Sequence, residues 1–184
     1  LYHLVQAFVR WMSPILSFTA QEAWPLIPEQ SEKYVFTAEW YDIPVPSTAN
    51  LISEADWQTL ITVKSAVNKQ IETARNAKLI GSNLSAKVEL WANAELKTVL
   101  DQFADELRFV LITSTVIVKD FDAAQGEATD LDGLRVQVSA ADGEKCVRCW
   151  HVLPDVNTHS AHLGLCARCI INLPSGQGEE RKYA

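Results

Sequence analysis

Cys146, Cys149, Cys166 and Cys169 are the only cysteines in 184 residues, and they fall in the pattern C-x2-C-x16-C-x2-C toward the C-terminal end. Two knuckles at this separation suit one chemistry above others: four thiolates closing a tetrahedral shell around one zinc ion, with no position left open for water. A closed shell holds a fold together and does not activate a nucleophile. Two disulfides would require an oxidising compartment, and the chain has no basic start followed by an apolar run and a small-residue cleavage site. A redox C-x2-C usually occurs once, beside a βαβ pattern. His151, His159 and His162 lie among the cysteines. A shell of three cysteines with His151 is the nearest variant. Because four thiolates already complete the shell, all three histidines are expected to face solvent.

The rest of the chain carries little concentrated chemistry. It contains no G-x-S-x-G, no G-x-x-x-x-G-K-[ST] and no G-x-G-x-x-G, which removes the usual signatures of a nucleophile elbow, a phosphate loop and a dinucleotide fold. Each knuckle has an arginine directly before its second cysteine, Arg148 and Arg168. Knuckle N–H groups point at the sulfurs, so both guanidiniums are expected to project outward, toward phosphates or bases. The competing role is counter-charge to a cluster of four thiolates and one dication, formally about −2. Lys64, Arg75 and Lys78, with Asn68 between them, would share one helix face, which suits phosphate contacts or a plain solvated surface. The formal net charge of −7 excludes a globally basic nucleic-acid glove, so any such contacts are local.

These residues must be positioned by the elements around them. Leu1, Leu4, Val5, Phe8 and Met12 recur on one 3.6-residue face, predicting a helix that starts at the first residue and therefore a piece of a longer protein. A second helix follows Pro14, with Thr19 and Glu22 in a capping-box pattern and an exit at Trp24 and Pro25. Residues 29–50, with Pro44 and Pro46, read as a connector in which Trp40 and Tyr41 pack. Asp56 is the predicted N-cap of a helix over 57–78 whose core face is Leu60, Val63, Val67, Ile71 and Ala74. Beyond a turn at 80–83, residues 87–91 alternate as a half-buried strand. Asn93 caps a helix over 94–110, residues 115–119 and 134–138 are strands, and 120–132 is an exposed acidic loop.

The fold class is α+β, in three parts: a helical segment with its connector over 1–50, a small α+β domain over 51–140, and a four-cysteine, zinc-ribbon-like finger over 141–184. The finger's 44 residues are too few to fold unaided. Metal binding, worth about 10 kcal/mol in small zinc peptides, would supply much of its folding free energy. Val147, Trp150, Val152, Leu165, Ile170 and Ile171 are expected to cluster around the cysteines, and the charged residues 179–183 to be mobile. No apolar run approaches the roughly 18 residues of a membrane span, and the cysteine usage fits a reducing cytosol.

Several stretches, in order, resemble one family. E-K-C-V-R-C-W-H-V (144–152) and L-C-A-R-C (165–169), closing near R-K-Y-A, are similar to the C-terminal zinc finger of the bacterial isoleucyl-tRNA synthetases, which are class I enzymes. V-R-W-M-S-P-I-L-S-F-T-A-Q-E-A-W (9–24) resembles part of the helical anticodon-binding domain of that family and of its valyl and leucyl relatives. F-T-A-E-W (36–40), V-N-K-Q-I-E-T-A-R (67–75) and E-L-R-F-V-L-I-T-S (106–114) extend the resemblance over nearly the whole chain. It implies that Cys146, Cys149, Cys166 and Cys169 are zinc ligands. It implies a cytoplasmic parent enzyme that joins isoleucine to its tRNA with ATP, in a catalytic core this chain lacks, since no H-I-G-H-like or K-M-S-K-S-like element is present. ATP and isoleucine would then not bind here. The partners implied are the anticodon side of the tRNA and the rest of the synthetase, with no membrane. Arg148, Arg168 and the Lys64, Arg75 and Lys78 set are the candidate tRNA contacts. Formamidopyrimidine-type DNA glycosylases end in a similar finger, but they need a catalytic N-terminal proline and a helix–two-turn–helix, and often have Gln where Ile170 stands. A zinc-stapled protein-interaction module is the third reading.

Overall fold

The computed structural model describes residues 1–44 and 52–183; Pro46 and the 50/51 boundary expected in the connector lie outside the described residues. The chain divides into two compact units, Leu1–Leu51 and Ile52–Ala184. In the first, α1 (Tyr2–Met12) and α2 (Ser17–Ala23) are followed by single 3-10 turns at Trp24–Leu26 and Val35–Thr37. The core is Val9, Ala20, Trp24, Ile27 and Val35. Trp24 fills it and keeps its indole satisfied by donating to the Glu32 carbonyl at 2.8 Å. Three expectations change in this unit. A core built on Trp24 takes the Ala7 and Val9 side of α1, so Leu4, Val5 and Phe8, the predicted inner face, stay exposed. Thr19 sits inside α2, whose N-cap is Leu16 with no side-chain bond, so the capping box does not form. Tyr41 does pack, its hydroxyl 2.6 Å from His3 Nδ1, but Trp40 is exposed.

The second unit is a helix-backed sheet carrying the finger. α3 (Glu54–Asn76) starts earlier than its apolar pattern suggests, because Ser53, not Asp56, is the N-cap: its Oγ accepts the Asp56 N–H at 3.1 Å. Asp56 remains in the first turn, where its charge favours the helix N-terminus. Leu60, Val63, Val67, Ile71 and Ala74 are all buried, as the 3.6-residue period predicts. They pack with Val88 and Leu90 of β1 (Ala86–Ala92) and with Leu96 and Leu100 of α4 (Ala94–Asp101). Asn93 caps α4 through the Leu96 N–H at 2.9 Å.

The helix expected over 94–110 is broken. Ala104 has φ 42°, a 3-10 turn spans Ala104–Glu106, and α5 (Leu107–Leu111) follows. Phe103, Leu107 and Leu111 are buried in the same core as Leu96 and Leu100, so the apolar spacing carries through the break. α4 and α5 form the crossover that a parallel strand pair requires: β2 (Thr115–Asp120) runs parallel to β1. The loop expected over 120–132 contains a short strand, β3 (Glu127–Ala128), paired with β4 (Leu134–Ala140). β4 is antiparallel to β1, with Val136 opposite Leu90 and Val138 opposite Val88, giving the order β2-β1-β4-β3. The finger adds a two-stranded ladder, β5 (Glu144–Lys145) with β6 (Val152–Leu153), and a last turn of helix, α6 (Ala167–Ile171). Gly143 opens it at φ 105°, where a Cβ would lie 2.3 Å from the Leu153 carbonyl oxygen. No helix of the described residues is long and apolar enough to cross a membrane.

Candidate metal centre

The β5–β6 turn and the start of α6 bring the two knuckles together. The Sγ atoms of Cys146, Cys149, Cys166 and Cys169 lie within 4.8 Å of one another, and Cys149 Sγ is 3.7 Å from Cys166 Sγ. A tetrahedral zinc–thiolate shell with bonds of about 2.3 Å places its sulfurs about 3.8 Å apart, so the donor set fits that ion. Local bonds hold the shell in shape. The Cys146 N–H donates to the His151 carbonyl at 2.9 Å, the Trp150 N–H to the Cys146 carbonyl at 2.9 Å, and the Cys166 N–H points at Cys146 Sγ from 3.5 Å. Asp155 accepts the Ala167 N–H at 2.7 Å, satisfying one free donor at the head of α6.

The sulfurs differ electrically. Burial pushes the Cys146 thiol up, but the N–H groups of Cys149, Cys166 and Arg148 outweigh it and bring it down to about 6. Burial pushes Cys166 and Cys169 up, and for Cys169 the neighbouring sulfurs add to the rise. A dication among the four removes this conflict, because its charge stabilises every thiolate at once. When bound, zinc supplies cross-linking and no open coordination position.

Arg148 is exposed as expected and Arg168 is not, and both guanidiniums have partners within the chain. Arg148 Nη1 folds back and donates to the carbonyls of Cys169 at 2.9 Å and Asn172 at 3.1 Å, tying the first knuckle to the end of α6. Arg168 is half-buried, with Nε 2.8 Å from a Glu179 oxygen and its guanidinium 4.8 Å from the Phe109 ring. Their shared cause is the crowd of carbonyls and the carboxylate at the end of α6, which need donors more than solvent does. Residues 179–183 are held rather than free: Glu179 also pairs with Arg181 and accepts the Asn172 amide N–H at 2.7 Å.

His151 is buried, not solvent-facing. Its ring meets Phe109 edge-on at 5.8 Å, with Nδ1 3.3 Å from the Cys149 carbonyl and Nε2 without a partner. Burial, reinforced by Arg108, Arg168 and Arg181, pushes its pKa down. It does not join the cysteine cluster, so the shell of three cysteines and one histidine is not supported. The finger's own core is Cys146, Val156, Cys166 and Cys169. Val147 and Trp150, expected to line it, stand in solvent; Trp150 is 59% exposed, at φ 66°, with Lys145 Nζ 5.0 Å from its ring. This exposed aromatic was missed because an apolar residue beside a ligand reads as core.

Lys64 and Arg75 share a face of α3, but Lys78 does not join them. Lys64 is half-buried on α3, Arg75 pairs with Glu72 at 2.7 Å, and Lys78 lies past the helix end at φ 58°. The left-handed residue that stops α3 carries Lys78 off the face that the spacing predicts.

Residues 143–171 match a family described as the zinc finger found in FPG and IleRS, and residues 1–90 match one described as the anticodon-binding domain of tRNA ligase. All 184 residues align at 80% identity with the isoleucine–tRNA ligase of Acinetobacter baylyi, covering 100% of this chain and 19% of that protein. The chain matches the C-terminal part of an isoleucine–tRNA ligase. The ligases of Saccharophagus degradans and of Actinobacillus pleuropneumoniae serotype 5b are each 46% identical, again over 100% of the chain and 20% of the relative. The chain thus spans about a fifth of the length of the ligases it matches. The finger family is common to glycosylases and isoleucine–tRNA ligase and does not separate them; the anticodon-domain match and the whole-chain identity favour the ligase. The finger match and the four gathered cysteines together support one structural zinc ion.

Proposed function

We propose that this chain is the C-terminal tRNA-binding region of an isoleucine–tRNA ligase. The observation that carries the reading is the 80% identity across every residue to a protein of that name, with an anticodon-binding match over residues 1–90. The region holds the anticodon side of the isoleucine tRNA so that the acceptor end reaches a catalytic core elsewhere in the protein. Such orientation lowers a barrier without any group here touching the reaction. ATP and isoleucine are used in that core, the rest of the ligase is the constant partner, and the reading places the protein in the cytoplasm.

Cys146, Cys149, Cys166 and Cys169 hold one zinc ion that fixes the finger. Among the candidate contacts, Arg148 and Arg168 are engaged in holding the finger together, which leaves them less free to meet RNA. Trp150 with Lys145 is better placed: an exposed ring beside an ammonium suits an unpaired base and its phosphate. Lys64, Arg75 and Lys78 would add separate phosphate contacts.

The test is a titration of the zinc-loaded chain, read by tryptophan fluorescence, against isoleucine tRNA, a non-cognate tRNA and duplex DNA at fixed salt. Tightest binding to isoleucine tRNA is the expected result. Equal or tighter binding to the duplex would overturn the reading.

A further inference from the structure

Residues 172–183 leave α6 and return to the α+β core, and two carboxylates hold them there. At the first point, Glu179 meets Arg168, Arg181 and the Asn172 amide, while its own N–H donates to Asn172 Oδ1 at 3.1 Å. At the second, the Glu106 carboxylate, just before α5, accepts the N–H groups of Lys182 and Tyr183, both at 2.6 Å. The Tyr183 ring then packs 5.3 Å from Phe103, a residue of the main core. Between the two points, Arg168 and Arg181 lie over the Phe109 ring at 4.8 and 4.1 Å. The return turn is tight: Gly178 N–H donates to the Ile171 carbonyl at 2.8 Å, and a Cβ on Gly176 would lie 2.1 Å from that oxygen. Nearby, the buried Ser114 hydroxyl joins the sheet end to the finger, accepting the Val152 N–H at 2.7 Å and donating to the Leu84 carbonyl at 2.5 Å.

None of these groups is among the gathered thiolates, and zinc alone fixes only the interior of the finger. We propose that residues 172–183 are a latch that fixes the zinc finger against the α+β core, with Glu179 and Glu106 as its positioning residues. Both carboxylates accept several N–H groups at once, an arrangement that holds a segment in place instead of merely solvating it. The purpose of the latch rests on the tRNA reading: a latched finger presents Trp150 in one orientation.

The test is amide hydrogen exchange by NMR on the zinc-loaded chain and on its Glu179→Ala and Glu106→Ala variants. The reporter is the Val152 N–H, which bridges finger and core. The internal control is the Cys146 and Val147 N–H pair, bonded within the finger to His151 and Gly164. The latch predicts that Val152 exchanges about tenfold faster in both variants while the control pair and the zinc content hold. Unchanged Val152 protection in either variant would overturn it. So would joint loss of Val152 protection, control protection and zinc, because the segment would then belong to the finger's own fold. Glu106 lies outside the finger, so its variant keeps the test decisive if Glu179→Ala does not fold. No tRNA is present, so the latch and the tRNA reading fail separately.

Discussion

Trp150 is the residue on which the functional reading presses hardest. It follows Cys149 directly, its backbone is turned to φ 66°, and its ring stands in solvent beside Lys145. In the proposed tRNA reading that ring is the flat surface on which an unpaired base would stack. Trp150→Ala should weaken isoleucine tRNA binding by about 1–3 kcal/mol, the usual loss for one stacked base, while zinc content stays at one per chain. Affinity measured by filter binding that does not change would remove Trp150 from the interface. At this scale the cysteines were legible because a ligand set is written in local spacing. The roles of Arg168 and His151 were not, because their partners Glu179 and Phe109 lie 11 and 42 residues away and no period links them.

Elements whose period is set by their own core face were also legible. α3, the three main strands and the Asn93 cap follow from apolar spacing and one side-chain acceptor. The failures lie where that spacing is silent. The break at Ala104 interrupts an apolar spacing that runs on through Phe103, Leu107 and Leu111 and so leaves no mark in it, and the exposed face of α1 depends on which side Trp24 accepts. The latch is the element with the clearest electrostatic signature. Burial raises the Glu179 pKa, but Arg181, Asn172 and Arg168 outweigh it and hold the carboxyl below its ordinary value. A folded pKa below the unfolded one means the stabilisation is complete above the unfolded value and is lost as pH falls through the folded one. Val152 exchange, corrected for its intrinsic pH dependence, should therefore speed up below about pH 4 and not between pH 6 and 8. A corrected rate that is flat from pH 6 down to about pH 3 would show that the Glu179 charge does not hold the latch.

For the whole molecule, the proposed tRNA reading reconciles an acidic chain with RNA binding by division of labour. A chain of formal charge −7 is not drawn to a polyanion as a body. It would add a few aimed contacts, with the zinc shell and the proposed latch fixing where those contacts point. In that reading zinc is a condition for recognition and no part of any reaction. The most direct measurement is the affinity of the chain for isoleucine tRNA with zinc bound, after a chelator has removed it, and after zinc is restored. Removal should weaken binding by at least about tenfold, since the finger's folding free energy is largely metal-binding free energy, and restored zinc should recover it. Equal affinity in all three states would contradict the account.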